Sequence, residues 1–149
     1  MRTDVENQTL HNLPTLVKTI GQEQLNQYAD ASGDHNPLHL DAQFAQTTQF
    51  GGIIAHGMLT LAFISEMMVA AYGSCWLESG SLKVRFKGAA CLGDRVETWG
   101  QVTKQEQQGS QHRITCSVGA RNQDNQQEII SGIATVSIDD PHGCAGHQG

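Results

Sequence analysis

An α+β architecture, an antiparallel β-sheet wrapped around one long central α-helix, is the fold class this sequence predicts. Three observations carry it. Residues Gly57–Tyr72 (GMLTLAFISEMMVAAY) are apolar at nearly every position, and a helix apolar on all sides belongs in a core. From residue 81 onward the apolar period changes to two, in segments separated by polar turns. The length of 149 residues and the 38% hydrophobic content suit one core, hence one domain rather than two. A sheet with one apolar face needs a cover, and the 57–72 helix is the one element long and apolar enough to provide it.

The elements follow in chain order. Residues 1–12 are polar and unpatterned and are expected to be loose at the start. Residues 15–20 (TLVKTI) are short and rich in β-branched side chains, which predicts a strand. After Gly21, Leu25, Tyr28, Ala29 and Ser32 recur at three- and four-residue spacing, which predicts a helix with a weakly apolar face. Gly33 is placed to end it in the left-handed conformation. In Asp34-His35-Asn36-Pro37-Leu38-His39, Pro37 keeps Asn36 out of the helical region, so an irregular loop is expected. Asp41 is an N-cap for a short helix over AQFAQTT, which Gln49-Phe50-Gly51-Gly52 breaks. The central helix, about 22 Å long at roughly 1.5 Å per residue, is stopped by Gly73.

Beyond it, Leu82, Val84 and Phe86 alternate with Lys83, Arg85 and Lys87. Gly93-Asp94 marks a turn. Val96, Thr98, Gly100 and Val102 form the next strand, up to a polar turn over 105–111. Ile114, Cys116 and Val118 form another, and 121–127 is again a polar turn. The last strand covers 129–138. Three consecutive strands with polar hairpins predict an antiparallel meander. Residues 1–138 are thus expected to form the domain, and 139–149 a disordered tail.

Composition narrows the function. A net charge of −6, from 9 basic and 15 acidic residues, argues against a nucleic-acid partner. The start shows no charged segment leading into an apolar run, so no signal peptide is expected. The run over 58–71 is interrupted by Thr60, Ser65 and Glu66 and is too short to span a bilayer. A soluble, cytoplasmic protein without a membrane partner is expected. Cys75, Cys91, Cys116 and Cys144 form no C-x-x-C pair, and they read as reduced thiols. Neither the cysteines nor His35, His39 and His56 are expected to hold a metal, and no cofactor is expected.

The loop Gly33-Asp34-His35-Asn36-Pro37-Leu38-His39, followed by Ala55-His56-Gly57-Met58, resembles the MaoC-like dehydratase family, whose members include (R)-specific enoyl-CoA hydratases. The layering resembles the hotdog fold. The strong match covers about residues 28–65, and the strands after residue 80 are compatible with it. The resemblance implies catalytic roles for Asp34 and His39, an oxyanion-binding amide at Gly57 and a supporting serine at Ser65. It also implies a substrate, an acyl thioester of coenzyme A or acyl-carrier protein. The reaction implied is reversible syn addition of water to a trans-2-enoyl thioester, giving the (3R)-3-hydroxyacyl product. A single such motif implies a homodimer.

Hydration needs a water held and deprotonated at C3, a proton delivered to C2, and an oxyanion stabilised on the thioester. Asp34 and His39 share one loop and can hold one water between a carboxylate and an imidazole. An ordinary aspartate, with pKa ~3.9, is a weak base, so a dry pocket is expected around it. Gly57 starts the central helix, where a free N–H and the positive end suit an oxyanion, and it admits close approach. Asn36 with Pro37 shapes the loop. His56 is expected to hydrogen-bond backbone and position the helix start, and His35 to face solvent. Ser65, two turns beyond Gly57, either bonds a catalytic group or a carbonyl within its own helix. Lys83, Arg85 and Lys87 read as a solvated sheet face, with coenzyme A phosphates as the other reading. Met58, Phe63, Met67 and Met68 read as core, with the lining of an acyl tunnel as a second role. Two alternatives stand beside the hydratase. One is an acyl-CoA thioesterase, for which Glu66 is the carboxylate on the central helix. The other is a non-catalytic acyl-thioester-binding subunit.

Overall fold

The computed structural model describes residues 11–139. The expected loose start over 1–12 and disordered tail over 139–149 lie outside the described residues except at their inner ends, where Asn12 bridges Gln101 and Asp139 is paired opposite Gln111, against that expectation. Among the described residues, five strands form one antiparallel sheet: β1 (Val17–Thr19), β2 (Ser81–Phe86), β3 (Arg95–Gln108), β4 (Gln111–Asn122) and β5 (Glu128–Asp139). The helices are α1 (Gln22–Ser32), α2 (Ala42–Gln46), α3 (Gly57–Tyr72) and α4 (Ser74–Ser79). The α+β layering is the expected one, a sheet packed on the long helix.

The meander is present as β3-β4-β5, and the spatial order is β1-β3-β4-β5-β2. β2 therefore does not join β3, the next strand in sequence. It pairs with β5, from Ser81 opposite Thr135 to Phe86 opposite Ile130, and forms one edge. β1 forms the other edge against β3. Val96, Thr98, Gly100 and Val102 on β3, with Ile114, Cys116, Val118 and Ala120 on β4, put their buried faces together. Phe63, Ile64, Met67 and Met68 of α3 pack in that core. Residues 105–108, read as a turn, are paired strand. A bulge between Val102 and Lys104 breaks the apolar alternation, and the ladder runs on to Gln108 opposite Gln111. Gly109, at φ 64°, takes the tight turn.

Two further corrections concern α3 and the cysteines. α3 is not buried on every side within one chain: Met58 is 56% exposed and Val69 36%, so Met58 is not core. Cys91 and Cys116 are free thiols, but Cys75 is disulfide-bonded, against the expectation of reduced cysteines. Cys144 lies outside the described residues. Among the described residues, no helix is long and apolar enough to cross a membrane.

The start of α3 is fixed to the sheet by a short antiparallel crossing. Ala55 N–H donates to the Ala90 carbonyl at 2.8 Å, and Leu92 N–H to the Ile53 carbonyl at 3.0 Å. This crossing sets the helix N-terminus beside the loop that leads out of β2.

Candidate active site

The loop after α1 is shaped by its own side chains. Gly33, at φ 83°, closes α1 with its N–H on the Ala29 carbonyl, as its position predicts. Asp34 Oδ1 then accepts the Asn36 N–H at 3.2 Å, and Asn36 Oδ1 accepts the Leu38 N–H at 2.9 Å. These successive Asx turns are the loop-shaping role read for Asn36. Pro37 opens a 3-10 turn, Pro37–His39, which carries the His39 ring inward until it is 8% exposed. Asp41 caps α2 by accepting the N–H groups of Gln43 and Phe44.

His39 has its tautomer assigned by the backbone. Its Nδ1–H donates to the Ile54 carbonyl at 2.8 Å, which leaves the lone pair of the neutral ring on Nε2. His56 holds the loop from the other side. Its Nε2–H donates to the backbone carbonyl of Asp34 at 3.1 Å, the backbone bond expected of it. Its ring stacks on His39, with centroids 3.9 Å apart at 27°, and meets the edge of Tyr28 at 4.8 Å. His56 is 2% exposed. Burial pushes it below the usual imidazole range; the Asp34 carbonyl opposes that in part, and His39 adds to it. The wall behind His39 is therefore uncharged at neutral pH.

These contacts bring Asp34, His39 and His56 together, with one polar atom from each within 4.8 Å of the others. The same three are spaced to share a cation, whereas His35 faces out onto Asp30 at 3.1 Å. Each buried imidazole already commits one nitrogen to a backbone carbonyl. Asp34 itself is exposed, which corrects the expectation of a dry pocket: within one chain, the loop stands at the mouth of a cleft.

Gly57 is the first residue of α3, and His56 before it makes no side-chain cap bond. The N–H groups of Leu59 and Thr60 donate to the His56 carbonyl at 3.1 and 3.3 Å, and those of Gly57 and Met58, with no carbonyl one turn below them, point the positive helix end at the cluster. Two cavities meet here. One, of about 430 Å³, is lined by Tyr28, Asp34, His56 and Gly57. The other, of about 360 Å³, is lined by His39, Ile54, Thr60, Ala89 and Ala90. Phe86 borders both. A carboxylate, an imidazole nitrogen with a free lone pair and a helix-end amide can together hold a water, relay a proton and stabilise an oxyanion.

Ser65 bonds neither a catalytic group nor a helix carbonyl in the contacts it makes. Its Oγ accepts the Trp76 indole N–H at 2.8 Å and ties α4 to α3. Glu66 pairs with Lys18 at 3.0 Å on the surface. Lys83 and Arg85 lie exposed on edge strand β2, and Lys87 pairs with Glu128 at 3.3 Å. Tyr28 and Phe86 are site residues that the sequence marks only as helix and strand positions. The signal for Tyr28 is its place one turn before Ser32 on the helix that feeds the loop. Phe86 has no local signal, because only the pairing of β2 with β5 brings it to the site.

Several known proteins share this arrangement of chain and sheet. The profile of the MaoC like domain matches residues 5–126. An (R)-specific enoyl-CoA hydratase of Rhodospirillum rubrum is 33% identical over 129 residues, 83% of each chain. A 3-hydroxybutyryl-CoA dehydratase of Methylorubrum extorquens is 30% identical over 128 residues, 83% of this chain and 76% of the relative. Among solved structures, an unliganded R-hydratase of Pseudomonas aeruginosa superposes with a TM-score of 0.73 at 29% identity, over 85% of this chain and 78% of that one. An (R)-hydratase from A. caviae gives 0.72 at 27% identity, over 85% and 92%. The relatives are hydratases and dehydratases, the fold is the hotdog fold, and the chain belongs to the MaoC-like dehydratase family.

Proposed function

We propose that this protein is an (R)-specific enoyl-thioester hydratase, a hydro-lyase that interconverts trans-2-enoyl and (3R)-3-hydroxyacyl thioesters of coenzyme A or acyl-carrier protein. The observation that carries this reading is the convergence of Asp34 with His39 within 4.8 Å, next to the open first turn of α3. In this mechanism the Asp34 carboxylate and His39 Nε2 hold one water. As its oxygen attacks C3, its proton passes to this pair and is returned to C2. The Gly57 N–H stabilises the charge that develops on the thioester oxygen. His56 holds both partners, one by hydrogen bond and one by stacking. Because Asp34 and His39 lie on one loop, oxygen and proton reach the same face of the double bond. The (3R) hand comes from likeness to the relatives. Neither metal nor cofactor has a step in this scheme.

The working unit in this reading is a cytoplasmic homodimer. The exposed apolar face of α3, with Met58 and Val69, and the edge of β2, unpaired among the described residues, both call for a cover, and a second copy supplies it under two-fold symmetry.

The test is to follow the conjugated enoyl absorbance of crotonyl-CoA while assaying free thiol. Bleaching without thiol is expected. Thiol release would point to the thioesterase, and neither signal to the binding subunit. Run in deuterated water, with the product resolved on a chiral column and its C2–C3 coupling read by NMR, the same reaction checks stereochemistry. A (3S) product would overturn the (R)-specific assignment, and anti addition would overturn the single-loop mechanism.

A further inference from the structure

The first turn of α3 holds a donor that has no role in the mechanism proposed above. Leu59 and Thr60 give their N–H groups to the His56 carbonyl, while the N–H groups of Gly57 and Met58 find no acceptor among the described residues. Of these two, the mechanism uses only that of Gly57. In a helix, successive N–H groups point along the axis toward the N-terminus and are turned from one another by about 100°. Two neighbours at a helix start are therefore placed to share one oxygen, as they do in binding phosphate.

Thr60 singles out the Met58 donor. Its hydroxyl donates to the Gly57 carbonyl at 2.6 Å, and the residue is 2% exposed. Threonines within helices often bond back to a carbonyl three or four residues earlier. Here that carbonyl belongs to the peptide whose N–H is the free one of Met58. A hydrogen bond received at a peptide oxygen polarises the whole unit and strengthens its N–H as a donor. It also fixes the plane of that peptide. The same turn faces the site from both sides. Met58 lines the cavity of Asp34, Thr60 lines that of His39, and Gly57 lines both.

We propose that the Met58 N–H is a second oxyanion donor and that Thr60 is its positioning residue. The thioester oxygen accepts from the Gly57 and Met58 N–H groups together as enolate charge builds on it. The Thr60 hydroxyl keeps the Gly57–Met58 peptide aligned and polarised throughout. This rests on the enoyl-thioester reading above.

The test removes the donor and leaves every side chain in place. Exchanging Met58 for its α-hydroxy acid turns the Gly57–Met58 amide into an ester, which has no N–H. Butyryl-CoA labelled with carbon-13 at the thioester carbonyl has no double bond to hydrate, and the infrared stretch of that carbonyl reads its polarisation. In the parent, the bound stretch is expected below that of free butyryl-CoA. The ester should move it back toward the free value. It should also lower kcat for crotonyl-CoA by roughly 10²-fold, the worth of one oxyanion donor, with KM little changed. Thr60→Val keeps the branched shape and loses the bond. A smaller shift in the same direction is expected, with kcat lower by about fivefold, because one polarising bond adds only a fraction of a donor's strength. Thr60→Ser, which keeps the hydroxyl, should restore both. A parent stretch equal to the free one, or one unmoved by the ester, overturns the second donor. A stretch unmoved by Thr60→Val overturns the positioning role, since a merely structural threonine would leave it in place. A stretch that responds to the ester in a protein that does not hydrate crotonyl-CoA refutes the hydratase and keeps the donor. An active hydratase whose stretch ignores the ester refutes the donor alone.

Discussion

At the scale of single residues, the site divides into groups that would react and groups that hold them. Asp34 and His39 are the reacting pair in the proposed mechanism. Asp34→Asn keeps an oxygen for the turn that accepts the Asn36 N–H, and His39→Ala removes the ring that donates to Ile54. Each is expected to lower turnover of crotonyl-CoA by roughly 10²–10⁴, the usual worth of a positioned acid or base. Near-normal turnover in both would refute their assignment. His56 is a holding group, and its titration carries a separate prediction. Its pKa is depressed in the fold, chiefly by burial, so the unfolded chain binds a proton more readily. His56 therefore contributes stability above the ordinary imidazole value of about 6.5. That contribution is lost as pH falls through the lower folded value. The melting temperature should drop on acidification across this window. In His56→Gln, whose amide N–H can replace the bond to Asp34, the drop should be shallower. Equal slopes in calorimetric melts of the two proteins would show that His56 is not the group responsible.

At the scale of elements, the sequence shows which face a segment buries better than which neighbour it meets. The apolar run of Gly57–Tyr72 and the alternation on β3 to β5 were legible because burial acts on side chains, and side chains are what the sequence displays. Residues 105–108 were not, because beyond the bulge at Val102 the ladder is held by backbone bonds that polar residues make equally well. α4 was missed for a related reason. Six residues are too few for periodicity, and its buried Trp76 is anchored by Ser65, eleven positions away. The site was legible where it is local, in the Gly33–His39 loop and at Gly57, and illegible where strand order decides, as with Phe86. That strand order can be perturbed at one point. Gly132 on β5 faces β2 so closely that a β-carbon would lie 2.2 Å from the Lys83 carbonyl oxygen and 2.7 Å from the Val84 α-carbon. Both are backbone atoms, so Gly132→Ala has to push the edge strand away. A loss of about 1–3 kcal/mol, typical of overpacking, is expected in urea unfolding. Faster hydrogen exchange should appear along β2, with β4 unaffected. A stability within about 0.5 kcal/mol of the parent, the range of neutral surface changes, would mean that the pair accommodates the methyl group.

At the scale of the whole molecule, the unsolved problem of the single chain is what covers α3. The sheet lies on one side of this helix, through Phe63, Ile64, Met67 and Met68, all 3% exposed or less. The opposite side leaves Met58 and Val69 in solvent, and Leu77 of α4 is 73% exposed. Asp34 is open at the same end, above a cleft that Met58 lines. In the proposed homodimer, apolar helix surface and an open strand edge would be stabilised by the same event, the arrival of a second copy about a two-fold axis. In this arrangement, closing the interface also excludes water from the mouth of the cleft, which strengthens every charge interaction around Asp34. Assembly and activity are then coupled. Val69→Glu puts a carboxylate on the uncovered face three turns along α3 from Gly57, away from the loop and the helix start. A two-fold contact would place two such charges near each other, where neither is solvated. The parent is expected to run as a dimer in light scattering, and Val69→Glu as a single chain of 16.1 kDa that keeps its circular dichroism spectrum. The variant should lose activity in step with its loss of dimer, and raising its concentration should restore both together. A parent that is already a single chain, or a monomeric variant with full turnover, would mean that one protomer builds a complete site and that the exposed face of α3 has another use.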